Sequence, residues 1–170
     1  MYPIPSARPI AAVLAVVVRE KHVLLVKRNN PPDAGMWGFP GGKTEIGETS
    51  LAAAQRELYE ETGIVADPER ILTVVDAIAK DDNGDVSTHY VMVAIQCRYM
   101  SGEPVAADDV SEARWVNIQH LLQDNYIMSE GVSELAVLAS GEQPDSCESR
   151  WGASNRLNIH RSGASLSRTS

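Results

Sequence analysis

The chain is short of positive charge. Of its 170 residues, 15 are Lys or Arg and 23 are Asp or Glu, giving a formal net charge of −8. That field repels a polyanion, so a nucleic acid polymer is not an expected partner. A small phosphorylated substrate remains compatible with it, because metal ions reverse the sign locally. Cysteine is scarce as well: Cys97 and Cys147 are the only two. They form no close metal-type pair and are too few for a secreted disulfide framework. Long apolar runs are absent. The longest, Ile10 to Val18, has nine residues, against the ~18 of a membrane span. The opening residues Met1–Pro5 lack a basic segment followed by a long apolar one. A cytoplasmic protein with no membrane attachment is therefore expected.

What is present is ordinary for a globular fold. Hydrophobic residues make up 44% and charged residues 22%, which excludes a collagen, a coiled coil and a wholly disordered chain. A domain of ~150 residues buries close to ~70% of the surface its unfolded chain exposes, so no disulfide or metal staple is needed. No repeat of 20 to 50 residues is visible. The expected organisation is one domain over residues 1–140. Residues 141–170 hold seven serines and four arginines and read as a disordered tail that buries too little to offset its ordering entropy. Within that tail, Trp151, Leu157 and Ile159 are the side chains suited to docking.

Ile10–Arg19 and Val23–Val26 are β-branched runs separated by Glu20-Lys21-His22, the pattern of a hairpin. Asn29–Gly35 is a loop, Trp37–Phe39 a short strand, and Pro40-Gly41-Gly42 a turn out of it. Thr49 or Ser50 caps a helix reaching Thr62, with Gly63 as its C′ glycine. Leu51, Ala54 and Leu58 form its apolar stripe. Ile71–Ala79 and Val86–Met100 are strands joined by the turn Asp81–Asp85. Ala113–Val116 is a short strand. Ile118–Gln123 and Ser129–Ala139 are helical, the latter with Val132, Leu135 and Leu138 at helical spacing.

On the helix over 50–62, Glu57, Glu60 and Glu61 stand at i, i+3 and i, i+4 and so share one face. Three like charges there repel one another. The cost is understood if a hard divalent ion, Mg²⁺ or Mn²⁺, sits among them, since both favour oxygen ligands. A solvated acidic face is the plainer alternative. Arg56 lies where its planar fork can orient carboxylates, and the glycine-rich turn upstream offers backbone groups and Glu48 to the same place.

The stretch Gly42–Ile64 matches the pattern G-x5-E-x7-R-E-U-x-E-E-x-G-U at all nine specified positions: Gly42, Glu48, Arg56, Glu57, Leu58, Glu60, Glu61, Gly63 and Ile64. It resembles the Nudix box. The lead-in Trp37-Gly38-Phe39-Pro40-Gly41-Gly42-Lys43 and Trp115-Val116 before a short helix are also similar to that family. The resemblance implies an α/β fold, an α/β/α sandwich around a central mixed β-sheet with a loop–helix–loop catalytic motif. It implies metal-dependent hydrolysis of a nucleoside diphosphate linked to another moiety. By position, Glu57, Glu60, Glu61 and the Gly41 carbonyl would be metal ligands. Glu48 would partner Arg56 or act as an outer ligand, and Arg56 would orient the glutamates. Homodimers are common among such proteins, and a homodimer is an expected partner state alongside the small nucleotide substrate.

Substrate choice is less legible. Arg28 and Lys43 are candidate phosphate contacts. Lys27 is a third, equally well read as surface charge. Trp37 is placed either to stack on a base or to pack against the sheet. A general base outside the box is sought at Asp108, Asp109 or Glu112. The tyrosine and proline that mark some subfamilies are absent from the segment around Lys80. ADP-ribose-like and (d)NTP-like substrates both remain open. The main alternative is a catalytically inactive nucleotide or ADP-ribose sensor, although such domains usually lose a box glutamate. An isomerase on the same fold is disfavoured, because no cysteine is suitably placed: Cys97 sits in a strand and reads as a small apolar residue.

Overall fold

The computed structural model describes residues 8–31, 33–123 and 126–141. The tail read from the sequence, with Trp151, lies almost wholly outside the described residues. Ten elements follow in order: β1 (Ile10–Arg19), β2 (His22–Arg28), β3 (Trp37–Gly38), β4 (Gly41–Lys43), α1 (Ser50–Thr62), β5 (Val65–Lys80), β6 (Val86–Ser101), β7 (Val110–Asn117), α2 (Ile118–Leu122) and α3 (Val132–Ser140).

Among the described residues, all seven strands join one mixed sheet. β1 and β2 form the expected hairpin, paired at Val18–Val23 and Arg19–His22. Past those pairs the two strands part, and the segment carrying β3 and β4 enters the gap. β3 pairs with β2, β4 with β1, and the Ala15 amide donates to the Pro40 carbonyl between them. On its other side β1 runs parallel to β6 over Ile10–Val18. β7 pairs with β2, and β5 forms the far edge against β6.

The period of two along β1 divides the core into two layers. Val13, Ala15 and Val17, with Leu24 and Ile95, pack against Ala53, Ala54 and Leu58 of α1. Leu14 and Val16, with Val23 and Leu25, pack against Leu121, Leu135 and Ala136 of α2 and α3. Helices therefore cover both faces, as the resemblance implied. Cys97 is buried in the α1 layer, where desolvation pushes its thiol up to about 12. No helix among the described residues is long and apolar enough to cross a membrane.

Three expectations are corrected. Gly41 and Gly42 belong to a strand rather than a turn. Leu51 and Leu138 are 43% and 44% exposed, so the buried helix faces are built from Ala53, Ala54 and Leu58 in α1 and from Val132, Leu135, Ala136 and Ala139 in α3. Alanine permits the close helix–sheet approach that a leucine would block. β5 starts at Val65, well before the expected Ile71, and carries Pro68. An edge strand tolerates proline, and the pairing shifts register between Pro68 and Arg70.

Candidate active site

Helix α1 places the acidic cluster. Thr49 caps its start by accepting from the Ala52 amide, and Gly63, at φ 69°, ends it by donating to the Tyr59 carbonyl. Burial of Ala53, Ala54 and Leu58 on the sheet fixes the rotation of the helix, and this turns Glu61 inward as well. β4 approaches the same end of the helix.

Two glycines make that approach feasible. A Cβ on Gly41 would lie 2.1 Å from the Val13 carbonyl oxygen of β1. A Cβ on Gly42 would lie 2.5–2.7 Å from the carboxyl atoms of Glu57. The space where Gly42 lacks a side chain is thus filled by the Glu57 carboxylate.

Arg56 organises the acids. Its Nε and Nη2 donate to the two oxygens of Glu48 at 2.8 and 2.9 Å, a bidentate fork. Nη1 donates to Glu57 at 2.8 Å and to Glu60 at 3.1 Å. Nη2 also reaches the Lys43 carbonyl at 3.1 Å. The guanidinium and the Glu45 amide hold the Glu48 carboxyl down at about 2. Glu48 in turn raises the Arg56 pKa above its ordinary value.

Glu57 and Glu61 behave oppositely to Glu48. Burial raises the Glu57 pKa against the pull of Arg56. Glu61 is only 4% exposed and accepts from the Gly41 amide at 3.1 Å. Burial pushes it up to about 7; Arg28 and the Gly41 amide oppose the rise, while Glu57 and Asp108 add to it. Glu60 is the outermost, its side chain 47% exposed.

The candidates outside the box separate. Arg28 donates to the Phe39 carbonyl at 3.0 Å and acts on Glu61. Asp108 is close enough to act on both Glu57 and Glu61. Its φ of 56° is unusual outside glycine, and aspartate is among the residues that tolerate it. The loop before it hangs from the end of α1, with the Val105 and Ala107 amides donating to the Thr62 and Glu61 carbonyls. The Asp109 carbonyl is occupied by the Asn29 amide. Glu112 does not join the site. It pairs across the sheet with Lys27 and is bound by Lys27 and Arg114; this lowers its pKa. Lys43 contributes its carbonyl, while its side chain is exposed. Trp37 is 7% exposed and belongs to the core, edge-on to Tyr126 at 5.8 Å.

The family model for the NUDIX domain matches residues 8–134. The chain belongs to the Nudix family. An ADP-ribose pyrophosphatase of Methanocaldococcus jannaschii is 33% identical over 113 residues, covering 66% of this chain and 64% of that protein. A putative 8-oxo-dGTP diphosphatase 2 of Mycobacterium tuberculosis is 34% identical, covering 78% of this chain and 92% of its own length. The crystal structure of a MutT NUDIX hydrolase from Burkholderia pseudomallei superposes with a TM-score of 0.65 at 30% identity, over 76% of this chain and 96% of that one. The chain thus spans just under two thirds of the archaeal relative and nearly all of the mycobacterial one.

Among the described residues of this Nudix domain, no three acidic groups already converge on one point as a ligand set. Arg56 takes Glu57 and Glu60 as partners, and the Gly41 amide takes Glu61. The donor set nonetheless fits a hard divalent ion. It is all oxygen, and its two most buried carboxylates are raised in pKa by burial and by neighbouring acids, Glu60 and Asp108 for Glu57, and Glu57 and Asp108 for Glu61. A cation would relieve both effects. Backbone groups of the glycine-rich segment were expected at the site; the Gly41 amide, on Glu61, and the Lys43 carbonyl, on Arg56, are the ones found there.

Proposed function

We propose that this Nudix hydrolase cleaves a pyrophosphate bond in a nucleoside diphosphate linked to another moiety, an ADP-ribose-like or (d)NTP-like substrate, with Mg²⁺ or Mn²⁺. The observation that carries this reading is the half-buried Glu57 carboxylate, set against Gly42 and held by Arg56, beside the buried Glu61 carboxylate, which accepts from the Gly41 amide. Glu57 and Glu61 would hold the ion, with Glu60 at the outer side and the Gly41 carbonyl as the resemblance implies. When bound, it would neutralise phosphate oxygens and acidify the attacking water.

The chain's own residues supply the rest. Arg56 and Glu48 hold Glu57 and Glu60 in fixed rotamers, so the ligands are oriented before the substrate arrives. Arg28, anchored on the Phe39 carbonyl, brings positive charge to a diphosphate that the acidic surroundings would otherwise repel. Asp108 is the general base outside the box: its loop is tied to α1, and it is the one of the three candidates whose charge reaches Glu57 and Glu61. It accepts the proton that the attacking water loses. Both relatives described above support a nucleotide substrate. All four box glutamates are in place, so the sensor alternative draws no support from the site.

The test is a panel of ADP-ribose, NADH, dinucleoside polyphosphates, and normal and oxidised dNTPs, each with Mg²⁺ and with Mn²⁺. Release of a nucleoside monophosphate from one class is the expected result. No turnover of any member, with the protein folded, would defeat the assignment.

A further inference from the structure

The strand register sets a second group of charges on the far side of the sheet from the box. Lys27 pairs with Trp37 on β3 and with Glu112 on β7, so these three side chains form a row on one face. Arg114, two residues along β7, pairs with Leu25 and shares that face. Leu25 and Trp37 belong to the core under α2 and α3, whereas α1 and its glutamates cover the opposite face. Around this row lies an open cavity of about 300 Å³, lined by Lys27, Trp37, Glu112, Arg114 and Tyr126 among others. That volume is at the lower end for small-molecule sites.

The chemistry of the lining is unbalanced. Lys27 Nζ is 3.3 Å from Glu112 Oε1, and Arg114 binds Glu112 Oε2. One carboxylate therefore faces two cations in a protein whose overall charge is −8. An ammonium offers three donors and a guanidinium five, of which Glu112 engages one from each. Arg114 is held over the Trp37 ring at 4.7 Å and Lys27 stands 6.0 Å from it. Tyr126 buttresses the tryptophan edge-on. The guanidinium is thus positioned by an aromatic platform, with donors left over.

We propose that this cavity is a second anion site, which takes a small phosphate-bearing molecule between Lys27 and Arg114 in place of the Glu112 carboxylate. A phosphate group carries more charge than a carboxylate and presents three oxygens, so it can use the fork of Arg114 and the ammonium together. Glu112 acts as an internal competitor that occupies the cations when no ligand is bound. The site is independent of the hydrolase reading, because its residues lie across the sheet from Glu57 and Glu61. The phosphate can be inorganic or the head of a phosphomonoester.

The test is calorimetric titration of the full chain carrying Glu57→Gln, in excess chelator, with inorganic phosphate and separately with AMP. The box then contributes no metal-dependent binding and no turnover is measured, so the outcome is separate from that of the hydrolase assay. Saturable one-site binding is expected. Adding Arg114→Gln should weaken it tenfold or more, and Lys27→Gln should weaken it in the same direction. Adding Glu112→Gln should tighten it severalfold by removing the competitor, which a merely structural ion pair would not do. Tighter AMP than phosphate identifies a phosphomonoester site, and equal affinities identify a phosphate site. Absence of saturation up to ~10 mM ligand in both the Glu57→Gln chain and its Glu112→Gln derivative would overturn the proposal. So would binding that is unchanged by both Arg114→Gln and Lys27→Gln in variants whose melts show them folded.

Discussion

Replacing Glu61 by glutamine removes a charge that the metal-free fold holds at a cost. The carboxyl is 4% exposed, and burial lifts its pKa from 4.5 to about 7. Below about pH 4.5 the group is protonated in both the folded and the unfolded chain and imposes no penalty. Between 4.5 and 7 the unfolded chain loses the proton while the folded one retains it. Folding then binds a proton, and stability falls as pH rises. Above 7 the loss is complete and constant. A shift of this size corresponds to about 3 kcal/mol at most, less where the site relaxes. Glutamine keeps an acceptor for the Gly41 amide, so the hydrogen bond at 3.1 Å survives the change. The Glu61→Gln variant should therefore be more stable than wild type at pH 8 by about 1–3 kcal/mol, and equal to it near pH 4. The measurement is urea denaturation of both proteins in EDTA across that range. Saturating Mg²⁺ should shrink or reverse the gain, because only the wild type keeps both carboxylates. A variant less stable than wild type at pH 8 in chelator would refute the reasoning.

Other substitutions separate ligands from scenery. Glu57→Gln should lower kcat by roughly 10²-fold or more at saturating Mg²⁺ while the fold is kept, whereas Glu45→Gln, on an exposed side chain, should stay within about tenfold. Gly42→Ala should displace the Glu57 carboxylate, with a comparable loss of kcat and a near-normal melt, because the obstruction is a movable side chain. Gly41→Ala meets backbone of β1 instead, and should cost stability by about 1–3 kcal/mol or more in a denaturation experiment. Asp108→Asn should lower kcat far more than it changes KM; an unchanged kcat would remove Asp108 as the base.

The box was readable because its signals are local. A cap at Thr49, a glycine at 63 and glutamates at helical spacing lie within one short segment, and the helix forms where they place it. The β1–β2 hairpin was readable for the same reason. The parallel pairing of β1 with β6 was not, since its partners are some 80 residues apart and no short-range pattern encodes the match. Gly41 and Gly42 read as a turn because glycine is a turn residue; what requires glycine there is the nearness of Val13 and Glu57, a tertiary fact. Of the acids before the last strand, Glu112 was already the weakest candidate, since it could simply begin the strand, as it does in β7, whereas Asp108 and Asp109 read as loop acids. Register turns Glu112 to the Lys27 face, a tertiary fact, while the charge of Asp108 acts on Glu61. Leu51 and Leu138 illustrate a bias toward large side chains, where alanine was what the helix–sheet contact needed.

The most direct test of the hydrolase reading is the rate of nucleoside monophosphate release by wild type and Glu57→Gln, each in excess EDTA and then after Mg²⁺ is added back, on the best substrate of the panel. The structure leads us to expect no turnover by either protein in chelator, restoration of the wild type by Mg²⁺, and a rate roughly 10²-fold lower or worse in the variant at saturating ion. Full wild-type turnover after exhaustive metal removal, or a near wild-type rate in Glu57→Gln, would contradict it.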